Sequence, residues 1–259
     1  MKNLLLTAIV VILSAVLILS CGKKNESDST KIKSDTAEKK VEETAAPVNT
    51  VPTGYYTGQY KSEDGGSGYS QITISIESIN EKAVKGTTIL SGVIKPLEGT
   101  AVKDGDGYKV IVNGNPQLSN AGEFSFTTNT PKGELSGTWK EATNGTVKFT
   151  FNLKKREFKY DPEIKFGRID FLNPSVNSLQ KEDLDNLLLD ELSYLRNSVY
   201  ARHGYAFTTD NARSMFEGNE KYMPLFTNVD KEMTSIEIQN IDLIKRYELK
   251  YSTKQSTGR

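Results

Sequence analysis

One histidine stands in the chain, His203, and it lies in the densest run of arginine and aromatic residues, Leu195-Arg196-Asn197-Ser198-Val199-Tyr200-Ala201-Arg202-His203-Gly204-Tyr205-Ala206-Phe207. An imidazole can act as general base, and the guanidinium groups of Arg196 and Arg202 can grip a carboxylate or phosphate. Asn197, Tyr200 and Tyr205 add hydrogen-bonding groups. A serine nucleophile for His203 would be Ser198 or Ser214, yet no nucleophile-elbow sequence is present. Zinc is nearly excluded by count, because Cys21 is the only cysteine beside the one histidine. Asp104-Gly105-Asp106-Gly107 offers two close acids without the later glutamate of an EF-hand loop, so it reads as a hairpin tip. No metal or cofactor is expected, and an enzyme is not the favoured reading.

The elements that position these residues follow from periodicity. Leu188, Leu192, Leu195 and Val199 recur at i, i+4, i+7 and i+11, one face of a helix, and His203 is the next member of that stripe. Gly204 suits the left-handed position just past the helix, which places Arg202 and His203 in its last turn. Ser178 and Asp190 are the expected N-caps, with a break near residues 186–189. A second short helix is expected from Asp210 to Glu217, with Met215 and Phe216 on its buried side. Thr234-Ser235-Ile236-Glu237 is a capping box opening a last helix. Ile238, Ile241, Ile244, Tyr247 and Leu249 would give that helix its apolar side. Arg196 and Arg202 then either bind an acidic ligand or pair internally with Glu237 or Glu248. A packed His203 would bond a backbone carbonyl.

Tyr200-Ala201-Arg202-His203-Gly204 resembles the signature of YARHG-domain proteins. The Leu195-Arg196-Asn197 lead-in, Tyr205, Phe207, Tyr222-Met223-Pro224 and Asn240-Ile241 extend the resemblance over about residues 178–250. It implies an envelope-facing helical module in which Arg196, Asn197, Tyr200, Arg202, His203, Gly204 and Tyr205 are either an interaction surface or a structural signature. Ser198, Ala206 and Met223 depart from the family pattern, which has glutamate, an aliphatic residue and a Trp-Tyr pair at these places.

Between residues 53 and 158 the period changes to two. Ile72, Ile74 and Ile76 alternate with Gln71, Thr73 and Ser75, and Val147, Phe149, Phe151 and Leu153 alternate with Lys148, Thr150 and Asn152. Weaker alternation marks Tyr56-Gly58-Tyr60, Leu90-Gly92-Ile94, Gly99 to Lys103, Tyr108-Val110-Val112, Phe124-Phe126 and Leu135-Gly137-Trp139. Turn residues separate these runs at Asp64-Gly65-Gly66, Asn113-Gly114, Thr130-Pro131-Lys132-Gly133 and Asn144-Gly145. About eight antiparallel strands form a β-meander, which closes into a small barrel or packs as a two-sheet sandwich. Tyr60, Phe126, Trp139, Phe149 and Phe151 face inward and either plug the barrel or line a ligand cavity. The fold class is therefore α+β multidomain: the β-meander, then a small all-α domain.

The start of the chain speaks to location. Lys2 precedes an uncharged apolar run from Leu4 to Leu19, too short for a stable span and long enough for a signal h-region. Ile18-Leu19-Ser20-Cys21 resembles the bacterial lipobox, so residues 1–20 read as a signal peptide and Cys21 as the lipidated residue. Its acyl chains give durable anchoring in a membrane. Residues 22–52 carry six lysines against six acids and few large apolar side chains, the composition of a disordered tether. Removing residues 1–20 leaves 32 basic and 33 acidic side chains, since Lys2 is lost from the 33 of each, and gives nothing to attract nucleic acid.

The expected layout is tether 21–52, β-domain 53–158, joint 159–177, helical domain 178–250 and disordered tail 251–259. In the joint, Ile164, Phe166, Ile169 and Phe171 are too apolar for free solvent, so part of it should pack between the domains. Glycine at position 22 points to the outer membrane of a bacterial envelope. The function expected is binding or scaffolding, with the helical domain contacting cell wall or another envelope protein. A carrier of a small apolar ligand in the barrel is the alternative, and a cell-wall hydrolase ranks third. Oligomeric state is not legible.

Overall fold

The computed structural model describes residues 52–63, 65, 70–113, 122–141, 145–167, 169 and 171–257. The expected signal peptide, Cys21 and nearly all of the tether lie outside the described residues, as do parts of the turns at 64–66, 113–114 and 144–145.

Eight strands run in sequence order: β1 Gly54–Ser62, β2 Gln71–Ile79, β3 Ala83–Leu90, β4 Val93–Asp104, β5 Gly107–Asn113, β6 Gly122–Asn129, β7 Glu134–Glu141 and β8 Val147–Arg156. Each pairs antiparallel with the next, and β1 pairs with β8, so the sheet is a closed barrel and the sandwich is excluded. Two expected strands are corrected. Leu90-Gly92-Ile94 is no strand: Gly92 has φ +74 and turns β3 into β4. The run from Gly99 to Lys103 is only the second half of β4. The count stays at eight because β3 had no clear signal. Its inward positions are Val84, Gly86, Thr88 and Leu90, two of them not apolar, which dilutes the period.

Tyr56, Ile72, Ile74, Ile76, Leu135 and Leu153 are buried together and fill the interior from the end where the chain enters and leaves. Burial pushes the Tyr56 phenol up to about 12. The outer face of β2 was expected in water, yet Gln71 and Thr73 are buried. Gln71 Nε2 donates to the carbonyl of Tyr222 at 2.7 Å, and the Thr73 hydroxyl donates to Thr57 Oγ1 at 3.1 Å. The helical domain thus docks on the barrel wall. Ile89 of β3 joins Ala206, Met223 and Leu225 in a shared apolar cluster, with Tyr55 and Phe158 against it. Gln59 and Arg156 add hydrogen bonds to the carbonyls of Glu217 and Glu220.

The helical domain comprises α1 Lys181–Leu184, α2 Leu189–Arg202, α3 Asp210–Phe216, a 3₁₀ turn at Asp230–Glu232 and α4 Ser235–Thr257. Leu192, Leu195 and Val199 of α2 are fully buried. Leu188 is not part of that stripe: it precedes the helix as N-cap and is 70% exposed. The expected caps also move. Asp190 lies in the first turn, while the Glu191 carboxylate accepts from the Leu188 N–H at 2.8 Å. Ser178 yields to Gln180, whose N–H donates to Asp183 at 2.7 Å. On α4, Ile241, Ile244 and Tyr247 are buried, but Ile238 and Leu249 are exposed. This helix continues to Thr257, past the expected boundary at 250, because Tyr251 packs on the core and donates to the Asp185 carbonyl at 2.8 Å.

Apolar residues of the joint pack on the helical domain. Phe166 meets Phe216 edge-on at 5.3 Å, and Ile169 packs with the cluster around Leu192 and Ile244. Phe171 is 71% exposed, against expectation.

Candidate functional site

The stretch that gathers histidine, arginine and tyrosine is a helix end. α2 stops at Arg202, His203 caps it, and Gly204 has φ +74. The Gly204 N–H donates to the Ala201 carbonyl and the Tyr205 N–H to the Tyr200 carbonyl, both at 3.0 Å. These two bonds are a Schellman motif, and the Tyr200 and Tyr205 rings meet edge-on at 5.7 Å across it.

Most signature side chains point inward from this stop. His203 is 5% exposed, stacked on Tyr160 with ring centroids 4.3 Å apart. Its Nε2 lies 2.9 Å from Glu237 Oε2, so the partner is a carboxylate and not the backbone carbonyl expected. Arg202 is 1% exposed: Nε donates to the Ile164 carbonyl at 3.0 Å and Nη1 to Ser198 Oγ at 2.9 Å, beside the Phe166 ring. Arg196 pairs with Glu248 at 3.0 Å and donates to Asn197 Oδ1 at 2.8 Å. Asn197 and Gly204 are buried, while Tyr200 and Tyr205 are half-buried.

Glu237 opens α4 as the capping-box glutamate. Its Oε2 accepts from the Thr234 N–H at 2.9 Å, and its own N–H donates to Thr234 Oγ1 at 3.3 Å. Oε1 accepts from the Tyr160 hydroxyl at 2.9 Å. Burial pushes this carboxyl up, but the bonds from His203 and Thr234, with the His203 charge, outweigh it and hold the group at about 2. The Tyr160 phenol is raised, first by burial and then by Glu237. The two serines considered as nucleophiles are engaged elsewhere: Ser198 donates to the Leu195 carbonyl and Ser214 to the Asn211 carbonyl, each at 2.8 Å.

A second site lies in the barrel, where the inward aromatic residues were expected either to plug the interior or to line a cavity. The β4–β5 ladder begins at Thr100, whereas Val93 to Gly99 pair with β3 alone among the described residues. The wedge left beside the first half of β4 is a cleft of about 600 Å³. Trp139 and Phe149 line it, stacked at 5.3 Å with 13° between their planes, and Phe124 stands edge-on to Phe149 at 6.0 Å. Leu90 and Val93 supply an aliphatic wall. The indole needs Gly122 opposite: a Cβ there would fall 2.3 Å from the Trp139 ring. Lys95 pairs across the ladder with Thr88 and shares its face with the buried Leu97, so its side chain belongs to the inner face. Glu98 lies on the opposite face, at the lip.

A family comparison then bears on the helix end. Residues 169–249 match the model of the YARHG domain. Neither the comparison with curated proteins nor that with solved structures gives a match. The YARHG match starts at 169, nine residues before the expected helical boundary of 178, and so takes in part of the joint that packs on the helices. The structure brings His203 and Glu237 of the matched region together with Tyr160, and separately Arg202 with Ser198 and Arg196 with Glu248. Tyr160 lies ahead of the matched residues and was missed by sequence reasoning. Its one local signal was its place just before Asp161-Pro162, a pair that interrupts regular structure.

Proposed function

We propose that the protein is a lipid-anchored bacterial envelope protein that binds a small apolar molecule in the barrel cleft and performs no catalysis. The observation that carries this reading is the cleft itself. Its volume of about 600 Å³ lies within the range of small-molecule sites, and its lining joins the aromatic and aliphatic side chains to a polar side with Thr88, Ser91, Lys95, Glu98 and Asn113. The YARHG domain then braces the barrel, because Arg202 and His203 are spent on internal bonds. Native mass spectrometry of protein purified from its host should show a co-purifying small molecule; an empty spectrum, with no uptake from a host lipid extract, refutes the reading. Anchoring through Cys21 predicts that Cys21→Ser moves the protein from the membrane to the soluble fraction.

A second reading keeps the YARHG domain as a contact surface for cell wall or an envelope protein. It is favoured by the exposed Leu188, Ile238 and Leu249. Co-sedimentation with sacculi at low salt, lost on replacing these three residues with serine, supports it; no retention rejects it. A hydrolase ranks last, since the sequence supplies no recognisable nucleophile.

A further inference from the structure

We infer that the cleft is built for a single-chain amphiphile with an anionic head, whose tail lies on Trp139 and whose head reaches Lys95. This rests on the proposal that the cleft binds a small molecule, and adds the polarity and orientation of that molecule.

The argument has three parts. Trp139, Phe149 and Phe124 offer rings on which an alkyl tail can pack. Lys95 is the one cation among the described cleft-lining residues, and strand alternation puts it on their side of β4. It makes no ion pair among the described residues, so its ammonium remains available to a ligand. Glu98, the one acid among the described cleft-lining residues, faces the other way and stands at the lip, where it disfavours an anion approaching from outside the opening without opposing one held at Lys95. The polar end therefore sits beside β4, and the tail runs across the opening toward β7 and β8. A fatty acid and a lysophosphatidic acid share this chemistry, and the head-group arms below tell them apart.

Trp139 is the chain's only tryptophan, so its emission reports the cleft directly. Full-length protein is titrated with dodecanoate, dodecan-1-ol, dodecyltrimethylammonium and a dodecanoyl lysophosphatidic acid. Dodecanoate should shift and enhance Trp139 emission with an affinity at least about tenfold above that of the alcohol, as expected for a charge-assisted hydrogen bond. Shortening the chain from dodecanoate to octanoate should weaken binding by up to about fourfold per methylene removed. Lys95→Gln should bring acid and alcohol together, while Lys95→Arg keeps the preference. Tighter binding of the lysophosphatidic acid than of dodecanoate assigns the head as phosphate; the reverse assigns it as carboxylate. Equal affinity for acid and alcohol, or preference for the ammonium amphiphile, overturns the head-group inference and leaves the cleft reading standing. No response of Trp139 to any probe, with calorimetry also silent, overturns both.

Discussion

The Glu237 carboxylate receives the His203 ring, the Tyr160 hydroxyl and both donors of Thr234 while being fully buried. Removing one partner strands charge, so His203→Ala should lower stability by about 1–3 kcal/mol, read as a fall in melting temperature. Adding Glu237→Gln to that variant should cost less than the sum of the two single changes, because the groups share one network. An unchanged melting temperature for His203→Ala would refute a packed role. The pH dependence has a definite sign. The folded carboxyl sits at about 2, below its ordinary 4.5, so the unfolded chain binds the extra proton first. Its stabilisation is complete above about 4.5 and is lost as pH falls through about 2. Acid titration followed by circular dichroism should show this loss, and Glu237→Gln should flatten it. At this scale the inward turn of His203 was legible from its spacing to Val199. Its partner was not: Glu237 is 34 residues away, and its capping-box role was readable while its second role depends on how α4 lies against α2.

At the scale of elements, the end of α2 rests on Gly204, held at φ +74 with the Phe158 ring 2.9 Å from where a Cβ would stand. Gly204→Ala should therefore destabilise by at least about 1–2 kcal/mol from the left-handed backbone alone. Thermal melts check this, and a loss under half that value would mean the helix end relaxes freely. This stop was readable in the sequence because a glycine followed a periodic stripe. The helix start was not. Asp190 looked like a cap, but Glu191 reaches back to the Leu188 N–H, and that one shift takes Leu188 out of the stripe into solvent. The β-region behaved alike. Strands with isoleucine or phenylalanine at alternate positions were plain, whereas β3, with glycine and threonine facing inward, was visible only through its ladders to β2 and β4.

For the molecule as a whole, the contact between barrel and YARHG domain matters most. Ile89, Ala206, Met223 and Leu225 form one cluster across it, and Gln71 is buried there with a bond to the Tyr222 carbonyl. Calorimetry should then give one unfolding transition for both parts. Leu225→Ala should lower that transition by about 2–5 kcal/mol of stability, the usual range for truncating a buried leucine. Two separate transitions in the unaltered protein would refute this coupling. Gln71 and Thr73 show why the contact was not legible: polar residues at alternate strand positions look solvated until another domain covers them.

The parting of β4 from β5 has one more consequence. A strand segment with a single neighbour presents free backbone donors and acceptors, a template on which another chain can add. Val93 to Gly99 pair with β3 alone among the described residues, and the sequence there meets that hazard with Lys95, Pro96 and Glu98. Proline removes a donor, and the two charges resist close stacking of copies. The opening beside β4 is thereby kept from becoming a seam for self-assembly.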